Sequence, residues 1–319
     1  MWIAICIFLI VICYLFLIKP NTGRQEKMKP FEETYIAHRG LFDNGEDSMS
    51  VDNTSYNGGV NNNVVPENSI PAFEKAVEAG YGIELDVQTT SDGRLVVFHD
   101  ETLLRMCGVD RKLYECSYDE LQKYHLAKTK ERIPLFDEVL KVIDGKVPLI
   151  VEIKSEGNWR LTTRLTAERL LSYGGVSLND DKQNNRGAGS DKDKVEKQLH
   201  DARYVYCMES FHPLVVKWFK DNRPDVLRGQ LSTNFFRSKM KRAWYEKIIL
   251  TNLLLNFLAK PDFIAYNYRY KNQPSFWLCR VLFKVVSVAW TVRSEKVLKR
   301  VLRVFDVIIF DSFLPELLK

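Results

Sequence analysis

From residue 34 onward, short apolar runs alternate with amphipathic stretches, and that alternation restricts the chain to folds in which helices cover a parallel sheet. The runs occupy 35–38, 83–87, 149–154, 204–209, 227–231, 263–267, 286–292 and 307–310. Eight parallel strands close as a (β/α)8 TIM barrel; a doubly wound open sheet is the structural competitor. A chain of 319 residues that is 45% hydrophobic and 27% charged can fill a core of that size. The intervening helices carry their own punctuation. Asn68 and Ser69 cap a helix that runs to Ala79, with Pro71 in its first turn and Gly80 at its end, and 134–144 and 213–222 follow the same pattern. Two polar stretches, 43–63 and 177–197, interrupt the alternation as surface insertions. The first leaves from the His38 end and is expected to overhang whatever lies there.

Several runs end in side chains that a buried strand excludes from its middle. His38-Arg39, Glu84-Leu85-Asp86, His99-Asp100 and Glu152-Ile153-Lys154 each close a β-branched run. Such endings point into solvent or into a site, and several together point to one shared pocket. Asp92-Gly93 predicts a two-residue type I′ hairpin turn. That turn pairs Ser91 with Arg94, Thr89 with Val96 and Asp86 with His99. Glu84 shares the face of Asp86, so two carboxylates and an imidazole converge.

The amino-terminal segment is a separate device. Trp2 to Ile18 carries no charge and is followed by Lys19 and Pro20. As a helix it spans about 25 Å, the short end of what crosses a bilayer. It predicts a transmembrane anchor over 1–19, a connecting segment over 20–33 and a catalytic barrel over 34–319. A signal peptide is the rival, but no basic region precedes the apolar run and no small-residue cleavage pattern follows it. Lys19, Arg24, Lys27 and Lys29 on the carboxyl-terminal side place the domain in the cytoplasm of a single-pass cell-membrane protein, an exported domain being the alternative.

The net charge of +5 favours phosphate-bearing or anionic-membrane partners. No basic stripe is interleaved with aromatics, which argues against nucleic acid. Cys107, Cys116, Cys207 and Cys279 show neither paired metal-ligand spacing nor a dense disulfide framework.

Ala37-His38-Arg39-Gly40, Pro66-Glu67-Asn68-Ser69, Glu84-Leu85-Asp86-Val87, Val97-Phe98-His99-Asp100 and Glu152-Ile153-Lys154 resemble, in order, the motifs of glycerophosphodiester phosphodiesterases. Ala289-Trp290-Thr291-Val292 and Ile308-Ile309-Phe310-Asp311 are similar to that family's last two strands, and the resemblance covers about 34–315. It implies a barrel enzyme that hydrolyses glycerophosphodiesters to glycerol 3-phosphate and an alcohol with a divalent cation, Mg²⁺ or Ca²⁺. Carried onto this chain, Glu84, Asp86 and Glu152 are the metal ligands, His38 and His99 the acid and base, and Arg39 and Lys154 the phosphate contacts. The long connection between His38 and Glu67 departs from the family pattern and bears on substrate size.

The residue types suit that chemistry. A phosphodiester anion repels nucleophiles and its leaving alkoxide is a strong base, so a site must neutralise charge and supply a proton. Carboxylates hold an oxygen-seeking cation and two imidazoles divide the proton transfers. Each residue also has a plainer reading. Glu67 and Asn68 either cap a helix or support Arg39 and the metal. Lys154 either touches phosphate or pairs with Glu152. Trp290 either walls the substrate pocket or fills the barrel. His125, His200 and His212 are expected to be structural.

The segment from Phe235 to Lys260 sets Arg237, Lys239, Lys241 and Arg242 before Trp244, Ile248, Ile249 and Leu250, an order suited either to an anionic membrane surface or to an ordinary barrel helix. A membrane-facing site would take lysophospholipids. The functional alternatives are a lysophospholipase D, a polyglycerol-phosphate hydrolase with a wider cleft, and a non-catalytic barrel that binds phosphodiesters at the membrane.

Overall fold

The computed structural model describes residues 1–42, 65–174, 204–238, 240 and 242–318. Strands β1 (Ile36–His38), β2 (Gly82–Thr89), β3 (Leu95–Val97), β4 (Leu149–Ile153), β5 (Tyr206–Ser210), β6 (Leu227–Ser232), β7 (Phe263–Asn267), β8 (Val286–Val292) and β9 (Val307–Phe310) form one sheet. Its order is β1-β9-β8-β7-β6-β5-β4-β2, and pairing of β1 with β2 closes it into the eight-stranded parallel barrel expected from the alternation. β3 hangs antiparallel on β2, outside the wall. The expected insertions at 43–63 and 177–197, and His200, lie outside the described residues.

The hairpin register differs from expectation by one residue. Val87 faces Val97, Gln88 faces Val96 and Thr89 faces Leu95, so Asp86 is not opposite His99. The Thr90 amide donates to the Arg94 carbonyl and the Thr90 carbonyl accepts from Gly93, which sits at a φ of 77°, so the loop is three residues rather than two. A left-handed residue closing a three-residue turn adds one residue to the loop and slides the partner strand by one. His99 lies two residues beyond the end of β3 and is not held to that strand's alternation.

The barrel interior is graded along its axis. Inward positions near the strand starts are apolar: Ile36, Ile150, Cys207, Leu227, Phe263, Val286 and Val307 belong to one buried cluster. One or two inward steps later come His38, Glu84, Asp86, Glu152, Lys154, Glu209, Asn267 and Asp311. Polar side chains therefore gather at the carboxyl ends of the strands, as in other barrels of this type. Outward positions such as Leu85, Val151, Met208 and Ile264 pack beneath the helices in a second cluster.

Helices α1 (Trp2–Ile18), α2 (Ile70–Glu78), α3 (Phe136–Ile143), α4 (Trp159–Tyr173), α5 (Pro213–Asn222), α6 (Trp244–Thr251), α7 (Pro274–Val281) and α8 (Glu295–Val301) are the longer ones. Ser69 caps α2 through the Ala72 amide, with Pro71 in the first turn, as the punctuation predicts. The stretch expected to connect anchor and barrel, 20–33, folds onto the barrel floor. Met28 and Phe31 are fully buried beneath the apolar cluster, and Arg24 donates to the carbonyls of Asp225 and Val226.

α1 has 17 residues. Among the described residues no helix is long and apolar enough to cross a membrane, so the expected single crossing is not supported. The reason is visible in its packing: Tyr14, Leu15 and Ile18 lie against the barrel, which leaves Met1 to Cys13 free of it. Thirteen residues span about 20 Å, well short of a hydrocarbon core of about 30 Å.

Candidate active site

β1, β2 and β4 bring the first set of side chains together through register. His38 lies beside Glu84 across β1 and β2, and Asp86 beside Glu152 across β2 and β4. Glu84, Asp86 and Glu152 each turn an oxygen toward a common point, these atoms lying within 4.8 Å of one another. All three are buried. Glu209 on β5 occupies the same rung as Glu152 and is a fourth buried carboxylate, with Oε2 lacking a hydrogen-bond partner. It is absent from the ligands expected from the sequence, although it closes a strand run as Glu84 and Glu152 do.

Crowding these anions in a dry site perturbs them all. Burial raises Glu84 well above its ordinary value, with Asp86 and Glu152 adding to the rise. Burial lifts Glu152 to about 7 against the pull of Lys154. Glu209 is raised by burial and then by Glu152 and Asp86. Asp86 goes the other way. Burial opposes its charge, but Lys154, His99 and Arg39 outweigh burial and hold it well below the usual carboxylate range. Lys154 Nζ lies 3.0 Å from Asp86 and 2.8 Å from Glu152. Of its two readings, the ion pair with Glu152 is therefore present, inside the site rather than on a surface.

Arg39 is held in an unusual backbone position, with φ of 59°. Its amide donates to the Glu84 carbonyl at 2.8 Å, and its guanidinium donates to Glu67 at 2.6 Å. Gly40 follows at φ 82°, where an added Cβ would lie 2.8 Å from the Ala72 backbone, so this turn admits no side chain. Asn68 donates from Nδ2 to Asp86 at 2.9 Å. Ser69 caps α2 through its side chain, while Glu67 and Asn68 contact Arg39 and Asp86.

Both imidazoles are backed by a carboxylate. His38 Nδ1 lies 3.0 Å from Asp311, which also accepts from Arg293 at 2.8 and 3.0 Å. His99 Nδ1 lies 2.6 Å from Asp100, gripped in turn by Arg105, which also donates to Glu67. With Nδ1 engaged, Nε2 of each ring is the atom left for the pocket, and that of His38 is 4.0 Å from Glu84. Burial and then Arg39 lower His38, while burial, Arg39 and Lys154 bring His99 to about 4. Asp311, Arg293 and Arg105 had no sequence-based role. Asp311 was legible as a strand-ending acid, but Arg293 sits in a loop and Arg105 in the short helix Leu104–Cys107, and their reach only folding reveals.

A pocket of about 320 Å³ opens at this end, lined by His38, Glu84, His99, Glu152, Glu209 and Trp290 among others. Phe211, Leu231 and Ile309 supply an apolar wall. Trp290 lies in that wall, edge-on to Phe211 at 5.5 Å. His212 packs at a tilt against Trp159, ring centroids 4.9 Å apart, outside this lining.

The donor set is all carboxylate, without cysteine or histidine, and suits a hard divalent cation such as Mg²⁺ or Ca²⁺. The orphaned oxygen of Glu209 beside it is a further negative group that a cation would offset.

Relatives share this architecture. A glycerophosphodiester phosphodiesterase from Caldanaerobacter subterraneus is 43% identical over 99 residues, 28% of this chain and 41% of the relative. A human lysophospholipase D is 29% identical over 188 residues, 53% of each chain. The chain thus spans about half or less of the length of these curated relatives. A solved Oleispira antarctica phosphodiesterase, in complex with its product sn-glycerol-3-phosphate, superimposes with a TM-score of 0.57 at 21% identity, over 88% of this chain and 93% of that one. A structure from Silicibacter pomeroyi gives 0.59 at 16% identity, over 89% and 93%. The model of the glycerophosphoryl diester phosphodiesterase family matches residues 38–313, from the first imidazole to just past its mate on Asp311, and the chain belongs to that family.

Proposed function

We propose that this protein hydrolyses glycerophosphodiesters to glycerol 3-phosphate and an alcohol. The observation that carries this reading is the pairing of two carboxylate-backed imidazoles with a buried carboxylate triad in one pocket. Glu84, Asp86 and Glu152 would hold a divalent cation, which when bound supplies charge neutralisation and polarises the phosphoryl group. Arg39 and Lys154 add fixed positive charge where the phosphate anion must sit.

The two histidines divide the proton transfers. One Nε2 accepts the proton of the attacking hydroxyl as its oxygen bonds to phosphorus; the other donates a proton to the departing alcohol oxygen as its bond to phosphorus breaks. Attack by the substrate's own glycerol hydroxyl gives a cyclic phosphate, which water then opens with the proton roles reversed. Asp311 and Asp100 fix the ring orientations and favour the imidazolium that forms in each step.

The apolar wall of Phe211, Leu231 and Trp290 supports a second reading within the same chemistry, hydrolysis of lysophospholipids, for which the human relative is named. For location we propose attachment to a membrane through α1, whose exposed stretch Met1 to Cys13 enters one leaflet without crossing it, with the barrel on the cytoplasmic side, where the anionic leaflet suits the net charge of +5. Protease protection in intact cells checks this: a domain cleaved without cell lysis would place it outside.

The activity is tested by incubating the full chain with glycerophosphocholine, glycerophosphoethanolamine and lysophospholipids, with and without chelator. Release of glycerol 3-phosphate or lysophosphatidic acid that needs the cation and His38 is the expected result. Turnover indifferent to chelation and to His38→Ala would refute the mechanism.

A further inference from the structure

We infer that the protein sits on an anionic bilayer with its pocket mouth turned toward the lipid, so that its substrate is a glycerophosphodiester whose glycerol carries a membrane-held acyl chain. This rests on the hydrolytic reading above and adds where the substrate comes from.

The direction of α1 is the first support. The Ile18 carbonyl accepts from Asn256 at 3.0 Å and from the Cys279 thiol at 3.3 Å, and the Asn21 amide donates to the Pro261 carbonyl at 2.9 Å. Pro261 stands just before β7, so the end of α1 lies at the level of the strand starts. One turn earlier Tyr14 reaches the Ser275 side chain in the first turn of α7. Ser275 and Tyr266 both donate to the Thr251 carbonyl, at 3.4 and 3.1 Å, and Tyr266 is the penultimate residue of β7. Going back toward Met1, the helix therefore climbs from the strand starts to the strand ends. Met1 to Cys13, all exposed, continue that course for about 20 Å past the pocket end of the barrel.

What covers those residues follows from their composition. Met1 to Cys13 hold no charged side chain on any side, and their polar groups are the Trp2 indole N–H and the two thiols, with Trp2 at 73% and Phe8 at 63% exposed. A protein groove covers one stripe of a helix, whereas hydrocarbon covers every side.

The connection from β6 to β7 supplies a second contact on the same end. Ser232 donates to the Leu250 carbonyl at 2.7 Å and the Phe235 amide to Thr251 at 3.0 Å, which ties this connection to the carboxyl end of β6. From it project Phe236, Trp244, Tyr245 and Ile248, with Trp244 72% exposed. Arg237, Arg242 and Lys247 stand among them against a single acidic neighbour within α6, Glu246. Aromatic rings with basic residues match the interface of an anionic leaflet. The apolar pocket wall opens at this same end, so a lysolipid can present its diester to the carboxylates while its acyl chain stays in the bilayer.

The test uses the full chain on phosphatidylglycerol–phosphatidylcholine vesicles that carry brominated acyl chains. Tryptophan quenching is expected to fall in Trp244→Phe relative to the parent. Unchanged quenching would overturn the orientation, and this readout needs no turnover. Trp244→Lys with Ile248→Lys is expected to slow hydrolysis of lysophosphatidylethanolamine in vesicles by about tenfold while leaving water-soluble glycerophosphoethanolamine unaffected. Equal rates on both substrates, or equal losses, would also overturn it. A chain whose Trp244 is quenched but that hydrolyses neither substrate keeps the orientation and loses the hydrolytic reading.

Discussion

Replacing Glu84 by Gln should stabilise the cation-free protein while abolishing its response to a divalent ion. The three carboxylates offer oxygens within 4.8 Å of one another. At an effective dielectric of about 20, two charges at that separation repel by about 3.5 kcal/mol, so a fully ionised Glu84 would face about 7 kcal/mol from Asp86 and Glu152. Protonation is the cheaper course. Holding a proton on Glu84 costs about 1.4 kcal/mol for each pH unit above the ordinary glutamate value, at most about 3.4 kcal/mol at pH 7. This agrees with the raised value that burial and the two neighbours impose. The folded state then holds a proton that the unfolded chain has released, and stability falls as pH rises above about 4.5. Gln carries no such penalty and can still accept the Arg39 amide bond that Oε2 accepts at 3.3 Å. The gain is bounded by about 3 kcal/mol, and at about 2 °C per kcal/mol it amounts to a rise of several degrees in Tm. Thermal unfolding in EDTA and in Mg²⁺ or Ca²⁺ measures both effects. The parent should rise on adding cation, by about 2.7 kcal/mol at a hundredfold excess over Kd, and the variant should not. A variant less stable than the parent in EDTA, or one with the same cation response, would refute the shared-site argument.

Three further outcomes follow from the same geometry. His38→Ala and His99→Ala should each lower kcat/KM by about 10²–10⁴-fold, with cation-induced stabilisation retained; loss of that stabilisation would assign the histidines to the metal instead. Lys154→Met leaves Asp86 and Glu152 without their shared ammonium, and loss of one partner of a buried pair costs about 3–5 kcal/mol. Urea unfolding in EDTA should show that loss, and cation should recover part of it. His38 is held neutral by burial and Arg39, so the unfolded chain binds a proton below about pH 6.5 that the folded chain refuses, and stability falls as pH drops through that value. Unfolding midpoints between pH 7.5 and 5.5 should therefore fall less steeply in His38→Asn than in the parent.

How far the site was legible depended on how local each constraint was. The strand runs and their charged endings were readable because a β-branched run that stops at an ionised residue is rarely anything but a strand leaving the core for solvent or a site, and these endings supplied His38, Glu84, Asp86 and Glu152. Asp92-Gly93 was legible as a turn but not as a turn of given length: a three-residue loop also closes on glycine, and one residue decides the register. The extent of α1 free to enter lipid was hidden for a different reason. Its apolar residues look alike, and only the tertiary bonds of Ile18 and the packing of Tyr14 show that its last turn belongs to the barrel. Arg293 and Arg105 were likewise invisible, since their partners lie across loops.

The register itself explains why a cation would suit this barrel. Asp86, Glu152 and Glu209 fall on one rung of three adjacent parallel strands, and Glu84 lies one inward step below Asp86. Parallel pairing offers no way to separate residues on a rung without shifting every inward residue to the outside. Among the described residues, Lys154 and Arg39 bring positive charge to this rung, and two cations cannot balance four carboxylates; burial and mutual repulsion raise Glu84, Glu152 and Glu209, which favours their neutral forms at a cost in stability. A divalent ion removes that cost and leaves the acids ionised. The same charge would then meet a phosphodiester anion, so the group that relieves the fold's repulsion is the one the proposed reaction would use.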